Sequence, residues 1–214
     1  MSSDDTVKER WRALVTRLGV DGANSSATLD ALVAAYSEPQ RHYHTLDHIA
    51  ALFHLLDQHG QHLNDRDAVE LAIVFHDAVY DPARSDNEEA SAALAAKTLA
   101  SLPVTQRLAT RVSHLILATR HSAAATEVSA DGDMALLLDL DLAILAAKRD
   151  QYAAYAAAIR REYSIYPDEV YWPGRRKVLG QFLAQPRIYL TERLHGAWDG
   201  QARANLAWET EQLG

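Results

Sequence analysis

Two imidazoles and several carboxylates stand where this sequence otherwise places aliphatic side chains. His48 lies in LDHIAALFHLLDQHG. At about 100° per residue, Ile49, Leu52, Leu55 and Leu56 share one broad helical arc, and His48 falls inside it while His54 points away. A histidine on an apolar face has a plain use, packing in the core with one backbone partner; its other use is as a nitrogen ligand to a metal. His76-Asp77 follows the apolar run Leu71-Ala72-Ile73-Val74-Phe75. Burying an unpaired carboxylate costs on the order of several kcal/mol, and a cation or a tight pair removes that cost. Helix neighbours lie about 100° apart and do not readily pair. His76 and Asp77 are therefore expected to reach separately toward one ion beyond the last turn.

Asp139 and Asp141 repeat the anomaly in the Leu-rich stretch LLLDLDLAIL (136–145). Residues two apart on a helix face nearly opposite sides, so one of the two can meet the ion and the other needs a different partner. For Asp139, an arginine of the C-terminal region is a candidate. Together these positions offer two imidazoles and two carboxylates. That mixed set suits Mn, Fe, Co, Ni or Zn better than Ca, and leaves coordination positions for water and substrate. A divalent ion there makes water a competent nucleophile and polarises a phosphoryl oxygen. The chain has no cysteine, which removes disulfides, thiolate zinc sites and cysteine nucleophiles.

The elements that must position these groups read as helices. Ala and Leu are abundant, while Gly and Pro number 9 and 6, so the expected class is all-α. Helices are expected over 6–19 (stopped by Gly19), 27–36, from a Thr45 cap to about Gly60, and over 67–80. Ser85-Asp86-Asn87-Glu88 matches a capping box opening the next helix, which Pro103 breaks. Further helices are expected from Thr105 to about Ser122, then over 133–147, 149–163, 168–185 and 201–213. The expected organisation is one domain over 1–214, with a core at about 27–147 and a C-terminal helical layer at about 148–214.

A formal net charge of −8 argues against binding a nucleic-acid duplex through its backbone. It does not exclude a small anionic substrate. No stretch approaches the roughly 18 consecutive apolar residues of a membrane span. The start, MSSDDTVKERW, does not resemble a secretory signal peptide, so a cytoplasmic protein without membrane partners is expected. A homodimer is compatible with this chain.

The order His48, His76-Asp77 and a distant Asp resembles the H…HD…D signature of the HD superfamily of metal-dependent phosphohydrolases. The segments RHYHTLDHI (41–49), AIVFHDAVYDP (72–82), DNEEASA (86–92), LILATRH (115–121) and LDLDLAIL (138–145) are similar to the family described as predicted metal-dependent HD phosphohydrolases, as are REY (161–163), GRRKVLGQFL (174–183) and ARANL (202–206). The resemblance covers nearly the whole chain. It implies an HD-domain helical bundle with one divalent ion (Mn, Co, Zn, Fe, Ni or Mg) buried between helices. It implies His48, His76 and Asp77 as ligands, and Asp141 in preference to Asp139 as the fourth.

Around these, Arg41 is a candidate phosphate clamp, with His44 four residues before His48 sharing its face. Glu88 or Asp81 is a candidate for handling the proton, Glu88 being favoured by the resemblance of its segment and also fitting a capping role. His121 is a candidate phosphate contact or second-metal ligand, and Arg175, following Pro173-Gly174, is a candidate substrate contact. Asn87 stands where several relatives carry histidine, which favours a single ion. The expected activity is hydrolysis of a phosphate ester in a small molecule, a nucleotide included. Two other readings remain: a di-iron oxygenase of the same fold, which would need His114 and His121, and a non-catalytic sensor with a closed metal shell.

Overall fold

The computed structural model describes residues 2–20, 22–120 and 131–213, with backbone only at 23 and 24. Among the described residues there are ten α-helices, one 3-10 helix and no strand. The helices are α1 (Ser3–Arg17), α2 (Gly22–Tyr36), α3 (Leu46–His59), α4 (Arg66–Phe75), α5 (Asn87–Ala100), α6 (Gln106–Ala118), α7 (Gly132–Asp141), the 3-10 helix Leu142–Ala146, α8 (Arg149–Glu162), α9 (Asp168–Ala184) and α10 (Glu192–Gln212). None of the described helices is long and apolar enough to cross a membrane. The chain divides into two compact units, Met1–Leu137 and Leu138–Gly214, and the division falls inside α7.

In the first unit, local signals account for most helix ends. Ser2 accepts from the Asp5 amide and Asp5 answers to the Ser2 amide, a capping box that starts α1 three residues before the expected Thr6. Gly19 leaves the helix at a φ of 67°, a left-handed conformation that costs glycine nothing. Thr45 caps α3 and Thr105 caps α6, as their positions predicted. The expected capping box at Ser85–Glu88 does not form. Asp86 is the N-cap residue and makes no cap hydrogen bond, because the Arg84 guanidinium holds both of its carboxylate oxygens at 2.9 Å.

The core of this unit gathers Trp11 and Leu14 of α1, Ile49, Leu52, Phe53 and Leu56 of α3, Leu71, Ile73 and Phe75 of α4, and Leu99, Val112 and Leu115 beyond. Each such side chain contributes roughly 1.5–3 kcal/mol on burial. Every residue of α4 from Ala68 to Phe75 is buried, including Glu70. Glu70 tolerates this because Arg17 and Arg66 hold its two oxygens at 2.6 and 2.8 Å.

The second unit departs more from local signals. The stretch expected as one helix over 133–147 tightens into the 3-10 turn after Asp141. Side-chain donors take carbonyls of this segment: Tyr189 Oη donates to Leu142 O at 2.9 Å, and Asn205 Nδ2 donates to Leu145 O and Ala147 O at 2.7 and 2.8 Å. The last helix begins at Glu192, nine residues before the expected 201. Gly196 and Gly200 weaken its helical signal in the sequence. Burial of Leu194, Ala202 and Leu206 outweighs them. Asp199 accepts from the Ile188 amide at 2.7 Å and Asp139 from Leu190 and Thr191 at 2.6 and 2.8 Å, tying down the segment that leads into α10.

Candidate metal centre

Helix α3 carries His48 on its buried face, 6% exposed. Helix α4 ends at Phe75, so His76 and Asp77 lie just past it rather than on it. This corrects the expectation that the two do not readily pair. His76 is the C-cap residue and keeps helical dihedrals, φ −58° and ψ −38°, yet its Nε2 stands 3.0 Å from Asp77 Oδ2. The same nitrogen lies 3.3 Å from His48 Nε2.

The other nitrogen of His76 fixes the chemistry. Nδ1 is 2.9 Å from the Ile73 carbonyl. A carbonyl oxygen only accepts, so Nδ1 carries the hydrogen and the lone pair of a neutral ring is on Nε2. That lone pair faces a carboxylate oxygen and a second imidazole nitrogen at 2% exposure. A neutral His48 can donate its Nε2 hydrogen to that lone pair, and the Asp77 oxygen stands 3.0 Å from the same nitrogen. A backbone carbonyl holding the far nitrogen of an imidazole is the arrangement that orients metal-ligating histidines.

Helix α7 carries three carboxylates with separate uses. Asp133, 1% exposed, accepts from the Asn64 and Asp65 amides at 2.8 and 2.9 Å, just before α4 begins. Asp139, fully buried, accepts from Leu190 N, Thr191 N and Thr191 Oγ1. The arginine expected for Asp139 is thus replaced by backbone amides and a hydroxyl. Burial pushes the Asp139 carboxyl above its ordinary range, and these donors offset part of that. Asp141, half-buried, ends the helix. In the first unit, His48 and His76 offer two imidazole nitrogens, with the Asp77 carboxylate oxygen beside them. The residues present fit a divalent cation by donor type: two imidazole nitrogens and the Asp77 oxygen.

Half-buried aromatic groups surround the His48–His76 pair. His44 Nε2 stands 4.0 Å from Asp77 Oδ2, with its ring 4.2 Å from that of Tyr80 and 6.0 Å from that of His48. The Tyr43 ring lies 5.0 Å from His48. Arg41 is elsewhere than expected. Its side chain is 1% exposed and its donors go to Glu38 and to the carbonyls of His44, Asp77 and Ala78, so a clamp on substrate is not what this placement provides. Arg175 is likewise engaged within the fold. Its guanidinium pairs through two nitrogens with Glu209 at 2.7 and 2.9 Å, 9% exposed, with its carbon 5.5 Å from the Tyr155 ring centre.

Asp81 shapes the turn after the site: its carboxylate accepts from Ala83 N at 2.8 Å. Asn87 clasps the backbone of Asp81 through both amide ends, at 3.0 and 2.9 Å. Glu88 is half-buried in the first turn of α5. His114 is exposed on α6, and His121 lies outside the described residues.

Two supports escaped the sequence reading. Ser91, fully buried, accepts from Val79 N at 3.1 Å and donates to Val79 O at 3.2 Å, fastening the turn that follows Asp77. Tyr36 donates to Val74 O at 3.1 Å, two residues before His76. A buried serine within DNEEASA was the visible signal for the first; nothing local announced the second. No family model matches this chain, and no curated protein and no solved structure matches it.

Proposed function

We propose that this chain is a metal-dependent hydrolase of phosphate esters in small molecules, with nucleotides as the first class to assay, and that it belongs with the HD superfamily its motifs resemble. The observation that carries the reading is His76: its Nδ1 is committed to a backbone carbonyl, and its Nε2 meets His48 and Asp77 in a buried setting. His48, His76, Asp77 and Asp141 would hold one divalent ion through two nitrogens and two oxygens. A divalent ion supplies Lewis acidity, activating water near neutral pH and polarising a phosphoryl oxygen.

The remaining work falls to the chain's own groups. The Ile73 carbonyl keeps His76 in one tautomer and orientation. His44, beside Asp77, can hold or pass a proton at Nε2. Glu88 offers a half-exposed carboxylate from the first turn of α5 for the same task, whereas Asp81 already accepts from its own turn. With a chain charge of −8, a small phosphorylated molecule is a better match than a nucleic-acid duplex.

The test is phosphate release from a panel of nucleotides and phosphorylated metabolites, with added Mn(II) or Co(II) and with chelator, using His76→Ala as the blank. Metal-dependent release that His76→Ala abolishes is the expected result. A metal-loaded protein that is silent over the whole panel yet consumes oxygen with reduced iron would defeat it.

A further inference from the structure

Arg41 invites a different assignment from substrate binding. Its guanidinium makes four hydrogen bonds: Nε to Glu38 at 3.0 Å, one terminal nitrogen to Asp77 O at 2.6 Å and His44 O at 3.3 Å, and the other to Ala78 O at 3.2 Å. An arginine has five N–H groups. A two-point grip on a phosphoryl group would therefore break at least one internal bond. The side chain also packs between the Tyr36 and Tyr80 rings, 5.1 and 5.5 Å from their centres.

The carbonyls it serves are those that need a donor. Helix α4 ends at Phe75, so the chain just beyond it has no following helical turn to supply amides. Asp77 O and Ala78 O sit in that stretch. His44 O sits just before α3, the helix that carries His48. One planar cation thus joins the entry of the His48 helix to the exit of the His76 helix, and its strongest contact is to the main chain of Asp77 itself.

From this geometry we infer that Arg41 is a positioning residue: it sets the His76-Asp77 turn relative to His48, and metal affinity depends on it although it is no ligand. The inference rests on the metal-centre reading above. Lysine keeps the charge but lacks the planar fork and cannot serve three carbonyls and a carboxylate in this arrangement.

The experiment uses full-length chain stripped by chelator and measures Mn(II) binding by calorimetry, then inorganic phosphate binding at saturating Mn(II). For Arg41→Lys the expected result is about a 10-fold weaker Mn(II) affinity, the scale of lost support behind metal ligands, with phosphate affinity unchanged once metal is saturating. Unchanged Mn(II) affinity overturns the inference, and weakened phosphate binding alongside it would return Arg41 to substrate. Should Arg41→Lys fail to fold, Glu38→Ala carries the test. Glu38 is 43% exposed, so its loss loosens the guanidinium without emptying a core position. A loss of about two- to threefold in Mn(II) affinity supports positioning, and none overturns it. Wild-type chain that takes up no Mn(II), or His76→Ala that binds as well as wild type, overturns the metal centre itself along with this inference. A failure confined to Arg41 leaves that centre standing.

Discussion

Two arginines expected on substrate are both buried, and the company they keep differs. Arg175 in the C-terminal unit meets a carboxylate, so its charge is cancelled where it stands, and Tyr152 adds a donor to the same Glu209 at 2.5 Å. Burial raises the Tyr152 hydroxyl far above its ordinary range, with the adjacent Glu209 charge adding to the effect. Around His76 the polar groups are of a different kind. Arg41 spends its donors chiefly on neutral carbonyls, while His48 Nε2 and Asp77 Oδ2 converge on His76 Nε2 at 3.3 and 3.0 Å. A closed pair holds a fold together and has nothing left for a ligand. A convergence of two imidazoles and a carboxylate offers the nitrogen and oxygen atoms that a cation can take.

The sharpest way to break this comparison is to open the closed region. Arg175→Ala leaves Glu209 buried without its partner and should lower unfolding free energy by about 3–5 kcal/mol in urea titration, with metal content unchanged. A metal loss in that variant would erase the distinction between the regions.

Next come the two acids of α7. Asp139→Asn weakens a charged acceptor of two amides and a hydroxyl and should cost about 1–3 kcal/mol. Asp141→Asn should instead reduce bound metal toward zero, read by elemental analysis, with the helical circular dichroism of wild type retained. An interchange of these two outcomes would move the ligand to Asp139.

A smaller effect separates two N-caps. Asp65→Ala removes an acceptor 3.1 Å from Ala68 N and should cost about 1 kcal/mol. Asp86→Ala should stay within about 0.5 kcal/mol, since that residue caps nothing and its ion pair with Arg84 is exposed.

The smallest effect is in pH. Burial raises the Asp199 carboxyl, but the Ile188 amide together with Arg203 and His195 outweighs it, and the net position is below the ordinary value of 3.8. A depressed acid stabilises the fold above its unfolded value and loses that contribution as pH falls through the folded one. Wild-type stability should therefore drop below about pH 4 more steeply than that of Asp199→Asn. Parallel curves would show that Asp199 contributes no linkage.

What the sequence made legible was local. The His48 face of α3, the Thr45 and Thr105 caps and the apolar run before His76 all rest on neighbours within about two turns. Asp139 and Asp141 were indistinguishable by periodicity alone, because what separates them is a segment some fifty residues on, at Leu190 and Thr191. The surroundings of Arg41 were hidden for the same reason. Its partners Asp77 and Ala78 lie 36 and 37 positions away, and an arginine beside a histidine-rich segment reads as a ligand contact until those carbonyls are seen. The approach of His76 to Asp77 escaped because neighbours on a helix diverge by about 100°, and no glycine or proline marks the helix end at Phe75.

The stretch Ile188–Thr191 is not helical, yet its amides are captured by two buried carboxylates. Protection against solvent deuterium should therefore not follow secondary structure there. The amides of Ile188, Leu190 and Thr191 should exchange on the slow timescale of the helical core, because releasing them means undocking Asp139 and Asp199 together. The Asp139 contacts also close a loop of about fifty residues, which places this segment among the later parts of the chain to settle during folding. A connector between two helices would then mark the time at which the C-terminal unit becomes native.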